Sequence, residues 1–397
     1  MNAVLVAVGQ TPAKAQQQVV QKKRCVVIVQ RRLTHYRVPL FELLRGKLNQ
    51  SGIELAVVYG DPTKIEKMKN DTGSLAWGKY QPCHYLGDGI LCWQNLAEPV
   101  RDADLVIVTQ ENKLIYNLLM LFGKRNYKFA FWGHGANLQA RNRDNLLERW
   151  KSWTSTKVDW WFAYSGLTVQ LVEQYGFAKE RITNLENAID TRTLRANVAH
   201  VTAEDLLALR TRLDIGNGPV GIYMGSLYQE KRIDFLLEAA RRIAEIFPGF
   251  HLLVVGEGHL QGKLVDAAAR YPWLRYLGSI KGADKAIYLR LAEVFLNPGM
   301  VGLSILDAFV SGEVFVTTDI RNHSPEIDYL VNGQNGLITA NNFDAYVAEV
   351  VDLLNNPERL ARLREGALHT AEHYSIENMA DNFHAGILQA LEQPCVS

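Results

Sequence analysis

The chain has 397 residues, 48% of them hydrophobic and 21% charged. That is too long for one hydrophobic core, apolar enough for two, and unlike a disordered or fibrous chain. The net charge of +1 conceals an asymmetry, because residues 1–190 carry 25 Lys and Arg against 17 Asp and Glu while the remainder carries 18 against 25.

No apolar run reaches the roughly 18–20 residues that span a bilayer. Residues 1–23 open on a short apolar patch and turn polar around Gln16, Gln17, Gln18 and Gln21. They lack the basic-then-apolar order of a signal peptide and read as a loosely ordered leader. Short β-branched runs then alternate with stretches of helical period, the pattern of parallel βαβ units. The expected strands are residues 25–30, 55–59, 105–109, 129–132, 160–164 and 182–185. The first ends in Gln30, Arg31, Arg32, Leu33, Thr34, His35, Tyr36 and Arg37, and a helix follows with Pro39 in its first turn. The apolar stretch 114–122, followed by Lys124, Arg125 and Lys128, fits either a helix on an anionic membrane or a buried helix with a basic end. After residues 129–132 come Gly133, His134 and Gly135. A histidine flanked by glycines at a strand's carboxyl end is poorly covered by its neighbours, which makes His134 a candidate active-site residue.

Near residues 191–218 the alternation dissolves into a charged helical stretch and a turn-rich run ending at Pro219. It restarts with expected strands at 220–224, 252–255, 275–277, 294–296 and 314–317. Residues 343–391 read as three helices with no further strand. Strand 220–224 runs into Gly225, Ser226, Leu227, Tyr228, Gln229, Glu230, Lys231 and Arg232, where a glycine turn, a basic pair and a helix start suit an anionic phosphate. Strand 294–296 runs into Asn297, Pro298, Gly299, Met300, Val301, Gly302 and Leu303. Asp307 follows one turn into a helix, where its carboxylate can accept hydrogen bonds from a ribose diol. The four cysteines, Cys25, Cys83, Cys92 and Cys395, show no metal-type spacing and read as reduced thiols of a cytoplasmic protein.

In order and spacing these motifs resemble the retaining glycosyltransferases of family 4, of the α/β GT-B fold with two Rossmann-like domains facing a cleft, and in particular bacterial exopolysaccharide and lipopolysaccharide enzymes. Val254, Val255, Gly256, Glu257 and Gly258, then Leu277, Gly278 and Ser279, match the family's second and third strand ends. Ser324, Pro325, Glu326 and Ile327, and the run from Asn332 to Ile338, match its later segments. The resemblance implies an acceptor-side domain over 24–190, a linker over 191–218, a nucleotide-sugar domain over 219–373 and a C-terminal segment, 374–397, packing back on the first domain. It implies donor contacts at Gly225, Ser226, Lys231, Arg232, Ser279, Gly299, Met300, Val301, Gly302, Leu303 and Asp307, His134 beside the reacting carbon, and Arg32, Tyr36 and Arg37 on the acceptor side.

Three departures stand out. Gly299 occupies the place of the first glutamate of the donor signature, Asp307 that of the second, and Ser226 that of an arginine. Arg232, where the family has glycine, is a candidate to replace the lost charge. The resemblance implies transfer from a nucleoside-diphosphate sugar, with UDP favoured, to a saccharide or lipid-linked acceptor. Configuration would be retained, without metal or cofactor, at the cytoplasmic face of an anionic membrane. Two alternatives stay open: a non-hydrolysing sugar-nucleotide epimerase and a degenerate sugar-nucleotide-binding protein. A nicotinamide dehydrogenase is disfavoured because no GxGxxG follows a first-half strand, and nucleic acid because the basic residues are dispersed.

Overall fold

The computed structural model describes residues 23–67, 71–87, 89–111, 113–135, 146–282 and 284–394. The expected leader falls outside them apart from Lys23, as does Cys395.

The first lobe contains strands β1 Arg24–Arg32, β2 Ile53–Gly60, β3 Lys79–Tyr80, β4 His84–Leu86, β5 Leu91–Trp93, β6 Leu105–Thr109, β7 Lys128–Gly133, β8 Trp160–Ala163 and β9 Ile182–Asn184. Its helices are α1 Val38–Gln50, α2 Lys64–Lys67, α3 Ile115–Phe122, α4 Leu146–Ser155 and α5 Gly166–Gln174. Seven strands form a parallel sheet in the order β3-β2-β1-β6-β7-β8-β9, and β4 pairs with β5 as an antiparallel hairpin.

The second lobe begins with helices α6 Arg192–His200 and α7 Ala203–Arg212. Strands β10 Val220–Met224, β11 His251–Val255, β12 Leu274–Tyr276, β13 Val294–Leu296, β14 Val314–Thr318 and β15 Gly336–Thr339 form a second parallel sheet, ordered β12-β11-β10-β13-β14-β15. Around it lie α8 Ile233–Ile246, α9 Gln261–Arg270, α10 Asp284–Leu291, α11 Ser304–Ser311, α12 Phe343–Asn355 and α13 Pro357–His373. Helix α14 Ile376–Glu392 ends the chain's described part.

Strands covered by helices on both faces read as unbroken apolar runs. All five residues of β10 are buried, as are Val26, Val27, Ile28 and Val29 of β1. Helix α8 presents Leu236, Ala240 and Ile243, at helical spacing, to the face of the second sheet that carries Tyr223 of β10. Residues 191–218, the linker read with a charged helical stretch, form α6 and α7, which pack on α10 and α11. Thr202 and Asp205 close a capping box at the start of α7.

Helix α14 returns to the first lobe and packs on α1, β8 and β9. Phe383 inserts between Trp132, edge-on at 5.1 Å, and Phe162, stacked at 4.7 Å. Lys128 donates to the carbonyls of Ala390 and Leu391, both at 2.8 Å, and satisfies orphan acceptors at the end of α14. The chain therefore passes between the lobes twice, near residues 185–191 and 373–376. The carboxyl ends of the two sheets meet there, because Leu167, at the start of α5, donates its amide to Asp328 of the second lobe.

Candidate functional site

Two loops of the second lobe lie against each other. After β10, Gly225 and Ser226 lead to a tight turn at Gln229–Lys231. After β13, Asn297 to Leu303 lead into α11. Met300 donates its amide to Glu230 O at 2.9 Å, and Lys231 Nζ donates back to Met300 O at 2.5 Å. Gly299 sits at this crossing. A Cβ there would stand 2.6 Å from Glu230 O and still nearer the backbone of Lys231, so no side chain fits without moving a loop. Residue 299 is thus bare for a packing reason: the two backbones occupy the space a side chain would need.

Lys231 is buried. Burial lowers its pKa from the ordinary 10.5 to about 8, against the opposing attraction of Glu326 and Glu230. Beyond it, the amides of Gly302 and Leu303 take part in no hydrogen bond among the described residues. The Val301 amide donates to His323 Nδ1 at 3.1 Å, with His323 Nε2 2.8 Å from the Thr318 carbonyl. Asp307 is buried in the first turn of α11 and pairs with Lys285 of α10. Gly225 is half-buried, Ser226 is exposed after β10, and Ser279 is exposed after β12, two strands away in the sheet.

Arg232 is not brought together with these groups. It adopts the left-handed conformation, φ 54° and ψ 48°, which costs a non-glycine residue about 1 kcal/mol. Its Nη1 donates to Pro298 O, Thr318 Oγ1 and Asn341 Oδ1. The side chain lies over Phe235 and lines a separate cavity with Gln229, Asp234, Asn341 and Phe343.

Across the gap, His134 is exposed at the end of β7, with its ring edge-on to Tyr164 at 4.4 Å. Burial pushes the Tyr164 phenol up to about 12. The three acceptor-side candidates diverge. Arg32 pairs with Asp71 at 2.6 Å, and Tyr36 is half-buried. Arg37 is buried, packs over Trp132 and Tyr164, and donates to Asn187 Oδ1 at 2.7 Å. Asn187 Nδ2 donates in turn to Glu326 Oε1 at 2.7 Å, so the bridge joins β1's loop to the second lobe. Burial raises the Glu326 carboxyl, with Asn187, Arg37 and Lys231 pulling the other way.

Sequence reading did not single out Asn187, Glu326, His323 or Lys285 as site residues, nor the buried Arg31 held by Glu66, Glu111 and Tyr85. Arg31 sits where β1 and β2 shift register between Gln30 and Arg32, an irregularity of the kind that re-aims a side chain and that the sequence does not mark. Among the described residues, no group of three His, Cys, Asp or Glu side chains is placed to hold a metal.

Solved structures share this arrangement over nearly the whole chain. A glycosyltransferase from Rickettsia africae superposes with a TM-score of 0.68 at 16% identity, covering 94% of this chain and 100% of that one. HepE of Anabaena, solved in complex with UDP, gives 0.67 at 14% identity over 92% and 99%. The chain has the GT-B fold. Residues 218–356, within the second lobe, match the family model described as glycosyl transferases group 1. The alpha-monoglucosyldiacylglycerol synthase of Acholeplasma laidlawii is 25% identical over 199 residues, 48% of this chain and 49% of that protein. The chain spans about half the length of the curated relatives at the head of these matches.

Proposed function

We propose that the protein is a glycosyltransferase that moves a sugar from a nucleoside-diphosphate sugar, with UDP as the favoured nucleotide, to a hydroxyl of a saccharide or lipid-linked acceptor. The observation that carries this reading is the buried Lys231 ammonium of the loop after β10, held against the loop after β13 that carries the two unengaged amides of Gly302 and Leu303. As the bond between the anomeric carbon and the diphosphate breaks, negative charge grows on the leaving oxygen. Pre-set donors stabilise that charge best because they need no rearrangement at the moment of reaction. Lys231 and the amides take this role without a metal. Asp307, beside Lys285, receives the ribose diol, and Ser226, Ser279 and the Gly225 turn line the donor side.

His134 is aimed at the reacting carbon from the first lobe. With no carboxylate at residue 299, the acceptor attacks from the face the diphosphate leaves, within an ion-pair-like transition state, and configuration is retained. The likeness to HepE, solved in complex with UDP, and to the alpha-monoglucosyldiacylglycerol synthase supports a UDP-sugar and a lipid acceptor.

The setting is the cytoplasmic face of an anionic membrane, with exopolysaccharide or lipid glycosylation as the process. Leu119 and Phe122 of α3 and Trp150 and Trp153 of α4 are exposed, and Phe122 stacks on Trp153 at 5.5 Å. Lys157 stands over the same indole, and Lys124 is exposed nearby in sequence. Aromatic side chains with basic neighbours suit an interface with acidic lipid headgroups. No helix of the described residues is long and apolar enough to cross a membrane.

The test is a thermal-shift screen against UDP, GDP, ADP and their sugars, followed by product analysis with diacylglycerol vesicles. Stabilisation by UDP compounds and a glycosylated acceptor of retained configuration are expected, since a ligand bound to the native state raises its melting point. A flat response across all nucleotides overturns the reading. Turnover of the donor alone to an altered sugar and free UDP points to the epimerase instead.

A further inference from the structure

Two departures from the family pattern, Arg232 and Gly299, belong to one packing unit. The left-handed backbone at residue 232 is one that glycine adopts without strain. Arginine is held there against that preference, which asks for a compensating role of its side chain. That side chain turns away from Lys231 and grips the segment that carries Gly299. It donates to Pro298 O at 3.2 Å, and Thr318 Oγ1 donates to the same carbonyl at 2.8 Å. Two further bonds, to Thr318 Oγ1 at 3.2 Å and Asn341 Oδ1 at 2.7 Å, fasten the guanidinium to the ends of β14 and β15. On the other side of the same segment, Met300 receives the Lys231 ammonium, and Gly299 lies flat on the backbone of Glu230 and Lys231. Among the described residues, no carboxylate lies within ion-pair distance of Arg232, so an ion pair does not account for its position.

We infer that Arg232 is a positioning residue. By clamping Pro298 it presses the segment onto the preceding turn, which sets the Met300 carbonyl, the Lys231 ammonium and the Gly302 and Leu303 amides in the spacing a diphosphate requires, and Gly299 is the residue that allows the closeness. The inference rests on the nucleotide reading given above, deepens it, and assigns Arg232 no contact with the nucleotide.

The experiment compares full-length wild type with Arg232→Gly and Arg232→Lys. UDP binding is measured by calorimetry from pH 6.5 to 9.5, amide hydrogen exchange over residues 299–303 without ligand, and the melting point as a check on folding. Arg232→Gly is expected to melt at or above the wild-type temperature, because the left-handed strain is gone. Its UDP affinity should fall about tenfold or more, the effect typical of removing a residue that orients a ligand-binding group. Exchange should quicken in residues 299–303 and not elsewhere. The pH midpoint of UDP binding should rise above its wild-type value as water reaches Lys231. Arg232→Lys keeps the charge but has a single donor group in place of the fork, so exchange and affinity should fall between the other two.

Unchanged exchange in Arg232→Gly overturns the inference, whatever happens to affinity. Lost affinity with unchanged exchange, fully restored by Arg232→Lys, shows that the guanidinium meets the diphosphate directly. A wild type that binds no UDP defeats the nucleotide reading, and the exchange data still decide whether Arg232 holds the segment.

Discussion

The ammonium of Lys231 lies 2.5 Å from the carbonyl oxygen of Met300, so the basic group of one loop is held by the backbone of the other. The contact leaves a cation buried without a carboxylate in hydrogen-bond reach, and its depressed pKa of about 8 records the cost. The native state therefore binds this proton less readily than the unfolded chain, and this group's contribution to stability rises with pH between about 8 and 10.5.

Lys231→Met is accordingly expected to raise the melting temperature at pH 7 while weakening UDP binding by about 2–3 kcal/mol, the range for losing a charged partner of a phosphate. In the wild type, UDP affinity should be level below pH 7 and fall as pH passes 8, where the ammonium loses its proton. Calorimetric titration of both proteins across this range checks it. An affinity that stays level to pH 9.5 contradicts a charged role for Lys231.

Asn187 joins Arg37 to Glu326, residues far apart in sequence and on different lobes. Removing the amide in Asn187→Leu leaves a buried guanidinium and a buried carboxyl each short of a partner, at an expected loss of about 2–4 kcal/mol in urea unfolding. Asn187→Asp places a second carboxylate beside Glu326 and should destabilise the protein increasingly as pH rises above 5. Chemical denaturation at pH 5, 7 and 8 measures both effects.

Glu313 is buried, with no hydrogen-bond partner for either carboxylate oxygen, and Arg364 Nη2 lies 4.0 Å away. Burial raises its pKa well above the usual carboxylate value. The native state holds this proton at pH values where the unfolded chain has released it, so stability falls as pH rises above about 4.5. Glu313→Met is expected to stabilise the protein by about 1–2 kcal/mol at pH 8, since apolar replacement of a poorly satisfied buried charge is often favourable. The gain should shrink toward zero near pH 4.5. Melting curves of the two proteins from pH 4.5 to 8 supply the comparison.

For the exposed aromatic cluster of α3 and α4, the triple variant Phe122→Ser, Trp150→Ser, Trp153→Ser should lose sedimentation with phosphatidylglycerol vesicles and keep its UDP affinity, because these residues lie outside the donor loops. Wild-type binding should fall with added salt. Equal sedimentation of variant and wild type removes this surface from the account.

The parallel strands were legible because doubly covered strands are continuous apolar runs, and β6, β10 and β13 begin and end where those runs do. Strands β3, β4 and β5 are largely exposed and mix polar with apolar residues, and β15 opens on Gly336 and ends on Thr339, so none is an unbroken run of buried apolar residues. The tail helices α12, α13 and α14 followed from their spacing. Residues 191–218 read as a connection because α6 and α7 are highly charged, while their packing on α10 and α11 depends on contacts that periodicity does not encode. The donor loops could be located by motif, but the direction of Arg232 could not. That direction follows from a left-handed backbone, and the arginine side chain carries no local mark of one. Asn187 and Glu326 acquire their roles only when the lobes meet.

The double passage of the chain between its halves has a mechanical consequence. Glu186 on the outward passage lies 2.9 Å from His373 Nε2 on the return, so the two straps are tied near their middles. A lid on a single cord can twist as well as swing, whereas one on two joined cords keeps mainly the swing. Opening to admit a ligand is thereby confined to a narrow family of rotations. It also follows that no single proteolytic cut yields two intact halves, because a fragment ending at residue 190 leaves the slot between Trp132 and Phe162 empty of Phe383.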